Sequence, residues 1–593
     1  MVSATALGGI LLVVAATFAI GVWGAGTART TSDLLAARRL VREERNAAAI
    51  SGEYLSAASF LGIAGLVVKD GVDALWYPIG FASGYLAVLM FVAAPLRRSG
   101  AYTIPDFVEA RLDSLRLRWL STVFVVLIGW FYLVPQFQAA GLTLQTVSGL
   151  PTWVGVPVVV LIVLAGVLSG GMRAVTLVQA FQYWVKLFAI TVPAFVLLVV
   201  YLTGGSPGGG AEPGPVFQHE TTVRVETGVR VHVAEPTWVE VTGSPAPTGG
   251  GPLQPQGTAS VYVAPGDYDV DAGSSLRFPA GSAVPTVDGA DADDSSWMRP
   301  EADSPESLVE TYSLILATFL GTMGLPHVLI RFYTNPSGHG ARRTALFVLL
   351  LLGTFYLFPT LFGLLSRMFV PELLVTGRTD AAVLLLPQAM LGGWPGALLA
   401  ALTAAGAFAA FVSTSSGLVV SIAGVLSTDL LRDRGIDPRI VLVGTALVPV
   451  GVALVLPPHD LYRGVGMAFA LAAATFCPLL VLGIWWRGLT AAGAAAGLLT
   501  GGCAVLLALA GGVALPEAGG IAGVLMRQPA LLAVPAAFAV TVLVSSATRG
   551  QVPDGVGRIV LRMHAPDRLG FLDDPATRAR GRKAKAQEGR HRR

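Results

Sequence analysis

The sequence predicts an all-α integral membrane protein of about thirteen transmembrane helices, ten of them in two five-helix blocks of opposite orientation, with a β-rich insert outside the membrane. Three observations carry this. Only 13% of the 593 residues are charged and 53% are hydrophobic, where a soluble domain carries about 25% charged residues. Apolar stretches of the roughly 20 residues that a membrane helix needs recur along the chain. Between residues 203 and 305 they give way to Gly, Pro, Asp, Thr and Val with turn signals.

The expected spans are 5–25, 47–69, 75–95, 119–146, 152–170, 174–202, 306–330, 344–370, 394–426, 439–456, 461–484, 490–512 and 528–547. The first has no basic residue before its apolar run, and an Arg cluster follows it. That charge order suits a retained helix with its N-terminus outside, rather than a cleaved signal peptide. The loops 26–46, 96–118, 331–343 and 432–439 then fall inside, with turns at Arg173 and Arg487 and the tail ending GRKAKAQEGRHRR. These segments hold most of the arginines, while the outside loops carry few basic residues, chiefly Lys69, Arg378, Arg463 and Arg527. The bias is the positive-inside pattern of a multi-pass plasma-membrane protein with a cytoplasmic C-terminus. The basic tail suits anionic lipid head groups, and the net charge of +3 gives no reason to expect nucleic acid. Cys477 and Cys503 both lie in expected spans and form neither a disulfide framework nor a metal-ligand spacing.

The chain divides into a first helix and cytoplasmic loop (1–46), a first five-helix repeat (47–202), the extracytoplasmic insert (203–305), a second five-helix repeat (306–484), additional helices (485–548) and a basic tail (549–593). Within the insert, TTVRVETGVRVHVAEPTWVEV and ASVYVAPGDYDV alternate apolar and polar residues, a strand pattern. The acidic stretch DGADADDSSWMRPEADSPES reads as a solvated loop, and the weaker reading is a cation attractor.

Each five-helix block opens on an interrupted helix. The first reads ISGEYLSAASFLGIAGLV, with Gly52, Glu53, Tyr54, Ser56 and Ser59. The second reads LATFLGTMGLPHVLI, with Gly321, Gly324, Pro326 and His327. Pro326 removes a helix hydrogen bond, and the glycines lower the cost of unwinding. Irregular backbone at membrane depth is tolerated where it is buried in protein or lines a wet cavity. Paired interruptions in an inverted repeat point to a substrate site between them.

Polar side chains in the spans have two readings each. Glu53 is either a functional carboxylate or a residue near water, Arg42 and Arg45; the two stand even. Arg331 reads as a positive-inside residue, and His327 as a packed histidine rather than a proton relay. Gln136, Gln138, Gln145, Gln179, Gln182 and Lys186 line a polar path or join helices. The run Ser413, Thr414, Ser415, Ser416 spreads hydroxyls around one helix, too many for one neighbour. Hydroxyls and freed carbonyls are the hard oxygen ligands a cation such as Na+ takes.

The segments GEYLSAASFLGIAG (52–65), YTIPDF (102–107), SGGMRAV (169–175), GTMGLPHVLIRFYT (321–334) and AAFVSTSSGLVVSIAG through STDLL (409–431) resemble the sodium/solute symporter family, on its cation–acetate (monocarboxylate) branch. The resemblance covers most of 5–550 outside the insert. It implies a LeuT-type core with a central sodium site between the broken helix at 47–69 and the helix at 394–426. Carried over by motif, the sodium ligands are the carbonyls of Gly52, Leu55 and Ala410 and the hydroxyls of Ser413 and Thr414. Sodium is the only metal implied, and no other cofactor. The family's sugar- and proline-type members carry an aspartate where this chain has Gln179, which puts a second ion in doubt.

The resemblance implies sodium-coupled import of acetate or a related short-chain monocarboxylate by alternating access. The other readings are a Na+ or H+ symporter for pyruvate, propionate or another small solute, a transporter-like membrane sensor, and a channel. The sequence offers no nucleophile–base pair, phosphate loop or metal-ligand cluster, so an enzyme is not expected.

Overall fold

A computed structural model describes residues 4–25, 42–204, 215–226, 228–242, 259–287, 289–300, 304–431, 436–455, 461–515 and 518–566. The arginines expected in 26–41 and 432–435, and the basic run at the end of the tail, lie outside the described residues.

Helix α1 (Ala4–Ala25) is followed by the first broken helix: α2 (Glu43–Tyr54), a break at Leu55 and Ser56, a π-turn over Ala58–Gly62, and α3 (Ile63–Asp70). Gly71 (φ +58°) ends it. Then come α4 (Trp76–Ala87), α5 (Ala93–Ser99), α6 (Ile104–Leu112), α7 (Leu115–Ser148) and α8 (Thr152–Gly204). After the insert and its short α9 (Asp294–Trp297), the second broken helix runs as α10 (Pro305–Gly324), α11 (Pro326–Leu329) and a 3-10 turn over Ile330–Thr334. The chain continues through α12 (Gly338–Phe369), α13 (Glu372–Thr376), α14 (Ala382–Leu391), α15 (Gly393–Val425), α16 (Pro438–Val455) and α17 (Leu461–Trp485). It ends in α18 (Ala491–Ala514), α19 (Gly520–Arg527), α20 (Ala530–Ala547) and α21 (Val556–His564).

Among the described residues, eleven helices are long and apolar enough to cross a membrane. The difference from thirteen has a local cause. The spans expected at 47–69 and 75–95 join through short helical turns into one run, Ala58–Ser99, and the one at 152–170 is the shorter Trp153–Leu168. The turn expected at Arg173 is absent, and the backbone stays helical from Thr152 to Gly204.

The two breaks arise differently. At the second, Leu325 is extended (φ −70°, ψ 112°) because the ring of Pro326 disfavours helical geometry in the residue before it. Pro326 then opens α11 at a first-turn position, where its missing N–H costs nothing. The first break has no proline: Leu55 takes φ −72°, ψ 85° directly after Tyr54. Gly321 and Gly324 serve contact rather than unwinding. A Cβ on Gly321 would lie 2.5 Å from the carbonyl oxygen of Phe469, and one on Gly324 would overlap that of Ala472, so both let α10 lie against the backbone of α17. Around these breaks α1 and α2 pack on α8, α15 packs on α8 and α7, and α10 packs on α17 and α4.

The insert is β-rich, as its alternation predicts. It holds two antiparallel sheets with strand orders β1-β6-β3-β4 and β5-β2-β7: β1 Thr221–Arg224, β2 Val229–Val233, β3 Thr237–Thr242, β4 Ala259–Val263, β5 Gly266–Val270, β6 Ser275–Phe278 and β7 Thr286–Val287. The acidic stretch is not simply a solvated loop, because it docks the insert on the membrane core. Arg367 of α12 pairs with Asp294 at 2.8 Å and donates to the carbonyls of Val68 (2.9 Å) and Asp291 (2.9 Å). Its guanidinium lies 4.7 Å from the Trp297 ring centroid, and the Trp297 indole donates to the Val67 carbonyl at 2.7 Å. Gly71 gives this tryptophan its room, since a Cβ there would overlap the Trp297 carbonyl. Trp297→Phe keeps the ring and deletes the hydrogen bond. We expect it to cost roughly 1 kcal/mol and to speed proteolytic release of the insert; an unchanged cleavage rate would contradict this docking.

Candidate functional site

The first broken helix places Gly52, Glu53, Tyr54 and Leu55 at the meeting point of α8, α15 and the second broken helix. Glu53 is 1% exposed, and its Oε2 accepts from Arg331 Nε at 2.8 Å. Arg42 and Arg45 are exposed and take no part. Arg331 is itself 1% exposed, so it is a core residue and not the inside-loop charge expected from its position. The remaining guanidinium donors reach Thr176 Oγ1 (2.7 Å) and Gln179 Oε1, while Asn46 Nδ2 donates to the Arg331 carbonyl at 3.1 Å. One buried ion pair therefore joins the two broken helices.

Gln179 completes this network in a way an aspartate could not. Its oxygen accepts from Arg331, and its Nε2 donates to the Ser413 carbonyl at 2.9 Å and approaches Glu53 at 3.4 Å. A carboxylate here would lose both donations and face a second carboxylate. Gln179→Glu is expected to lower stability by about 1–2 kcal/mol in a detergent thermal melt, since it leaves a buried acceptor unpaired. A melting point equal to wild type would place the amide outside the network.

Three of the five expected sodium ligands converge on one point, where the ammonium of Lys186 sits. Lys186 Nζ donates to the carbonyl of Gly52, to that of Leu55 at 2.7 Å and to Ser413 Oγ at 2.8 Å. The Ser413 hydroxyl also lies 2.7 Å from the Gly52 carbonyl and 3.1 Å from that of Ala410. Thr414 turns to a different group, donating to the Glu53 carbonyl at 2.7 Å. Ser415 is buried with its hydroxyl unpartnered, and Ser416 is buried beside it.

On the other side of the break lies an aromatic cluster. The Tyr54 ring meets Tyr85 edge-on (centroids 4.9 Å), Phe81 (5.9 Å) and Phe469 (6.2 Å), and Tyr132 meets Phe469 (6.0 Å) and His327 (5.2 Å). Polar contacts tie this cluster to both broken helices: Tyr54 hydroxyl to Thr322 (3.0 Å), Ser59 to Tyr356 (3.1 Å), Tyr132 to Ser56 (3.4 Å), and the Ala57 amide to Gln136 Oε1 (3.0 Å). Three buried polar atoms on its side chains have no hydrogen-bond partner: Tyr85 Oη, His327 Nε2 and Gln136 Nε2. His327 is buried, as a packed histidine would be, and its Nε2 is left without a partner. Gln138 is half-buried on α7. Because α11 is four residues long and passes into a 3-10 turn, it offers no helix-terminus anion site.

Sequence reasoning missed Tyr85, Thr176 and the destination of Lys186. Tyr85 lies in an ordinary apolar span, and Thr176 gives no motif signal. Lys186, a lone cation in an apolar helix, was the available signal.

Comparison with known proteins gives the lineage. Residues 34–207 and 281–501 match the sodium:solute symporter family. The chain belongs to that family. The unmatched 208–280 covers most of the β-rich insert. An uncharacterised symporter of Bacillus subtilis is 27% identical, over 89% of this chain and 91% of its own. An uncharacterised symporter of Cupriavidus necator is 29% identical over 88% and 89%. A monocarboxylic acid transporter of Corynebacterium glutamicum is 27% identical over 83% of this chain and 82% of its own. Among solved structures, a Na+-coupled sialic acid symporter in a substrate-bound outward-open state matches with a TM-score of 0.59 at 15% identity, covering 91% of this chain and 97% of that one. That likeness concerns the fold, which is the LeuT type expected. This symporter-family member is a multi-pass membrane protein of the solute-symport class.

Proposed function

We propose that this symporter imports acetate or a related short-chain monocarboxylate across the plasma membrane by alternating access, driven by an inward cation gradient. The observation that carries the reading is the set of unpartnered buried atoms, Tyr85 Oη, His327 Nε2 and Gln136 Nε2, in the aromatic cluster between the broken helices. Buried polar groups are ordinarily hydrogen-bonded, and a small carboxylate offers acceptors to each group that can donate. The aromatic walls suit a short apolar tail. The monocarboxylic acid transporter of Corynebacterium glutamicum supports the same substrate class. Net charge supports it too: Arg331 and Lys186 stand against Glu53 in a buried cluster, so an arriving anion is favoured.

The mechanism follows from which helices each group joins. Substrate bound at the breaks bridges α2 and α10, which lie in different repeats. Rocking of one helix bundle against the other, with the two broken helices moving together through the Glu53–Arg331 pair, then opens the breaks to one side at a time. An inward cation drives accumulation only so far as it prefers one of the two forms. Labelled acetate uptake into proteoliposomes, with pyruvate, propionate and a sugar as competitors, tests the substrate class. Monocarboxylates should compete and the sugar should not; competition by the sugar alone would overturn the reading.

A further inference from the structure

The oxygen ring expected to hold sodium is already filled by a side chain of the protein. We propose that the ammonium of Lys186 is a tethered cation that takes the place of Na+ at the central site, binding α2 to α15 and keeping sodium out of the ring. This rests on the symporter reading above, within which it concerns the coupling site alone.

An ammonium has three N–H donors and no acceptor. Lys186 uses all three, on the carbonyls of Gly52 and Leu55 and on Ser413 Oγ. The Leu55 carbonyl is available because the helix stops there, which is the same reason a broken helix offers oxygens to an ion. Of the two other expected ligands, one sits beside the ring and one is committed to a different group. Ala410 O lies within reach of the Ser413 hydroxyl, and Thr414 Oγ1 donates to the Glu53 carbonyl. Lys186 is 0% exposed, so its charge has no water and depends on these oxygens. A sodium ion in the same ring would compete for every ligand and repel the ammonium at contact distance.

The surrounding charges fit a single resident cation. Among the described residues Glu53 on α2 is the one buried carboxylate beside Lys186, and it is shared with Arg331 of the second broken helix. Helices α1, α14 and α15 carry no titratable side chain. On α8 the neighbour one turn back, Tyr183, donates to the Leu351 carbonyl; on α12 the titratable groups are His339, Arg342, Arg343, Tyr356 and Arg367. On α7 they are Arg116, Arg118 and Tyr132, and on α16 Arg439. None supplies a second carboxylate to balance a further cation at the ring.

The test is Na+-specific stabilisation of the purified full-length protein, with choline replacing Na+ at constant chloride and no substrate present. Wild type is expected to show no saturable rise in melting temperature with Na+. Lys186→Ala, which frees the three oxygens, is expected to gain one, and Lys186→Ala with Ser413→Ala to lose it again. Lys186→Met fills the volume without charge and replaces the alanine variant if that one does not fold. A saturable Na+ stabilisation of wild type that Ser413→Ala abolishes would overturn the proposal, as would a folded lysine variant that gains none. Because no carboxylate is present, failure of the monocarboxylate reading leaves this result untouched. That failure would instead appear as absent acetate uptake.

Discussion

Replacing Glu53 by alanine is expected to cost about 3–5 kcal/mol, more than any other single change at the site. The carboxylate and the Arg331 guanidinium are both 1% exposed, so removing one leaves the other charged, dry and without its ionic partner. Arg331→Ala should cost a similar amount for the same reason. The pair spans both broken helices, and its loss should also loosen Gln179, which holds the Ser413 carbonyl. The signature is non-additivity: in a double-mutant cycle read by thermal melting, the double variant should be far less damaged than the sum of the singles. Additive losses would mean that the two residues do not act as a pair.

Gly52→Ala is the second large effect. A Cβ at this position would overlap the carbonyl oxygen of Gln179, which is backbone and cannot rotate away. Overpacking of this kind costs typically 1–3 kcal/mol, and a rigid neighbour places this site at the upper end, about 3 kcal/mol. To relieve the overlap α2 must move away from α8, which pulls the Gly52 and Leu55 carbonyls off Lys186. Transport should therefore fall further than stability, and residual activity measured on folded protein should be well below wild type. Gly417→Ala, whose Cβ would meet the Glu53 carboxylate, is the comparison at a side chain. Wild-type uptake by folded Gly52→Ala protein would show that the close approach of α2 to α8 is dispensable.

The fold was legible in the sequence because its signals are local. Hydropathy locates each span, and the two discrepancies arise where short helical turns join neighbours or a span falls short. The second break was legible through Pro326, whose ring acts on the residue before it. The first was visible only as a cluster of small and polar residues, since Leu55 carries no conformational marker of its own. The site was legible in its parts rather than in its assembly. Gly52, Leu55 and Ser413 do meet, but Thr414, one residue on, serves a different carbonyl. Arg331 was misassigned because the sequence places it beside a basic loop, and its partner Glu53 lies 278 residues away. Lys186 was grouped with the glutamines of a polar path, and which oxygens it meets depends on how α8 packs against α2 and α15. Charge sign and span position are properties of a segment, whereas partners are properties of the packed helices.

The central claim is that the chain carries a short monocarboxylate across a membrane by alternating access, and counterflow tests it most directly. Proteoliposomes are loaded with unlabelled acetate and diluted into a trace of labelled acetate, with identical cations on both sides. A transient accumulation of label that decays as the internal acetate drains is expected, and a much smaller one with folded Gly52→Ala protein. Label that equilibrates at the same rate in loaded and empty vesicles would contradict it.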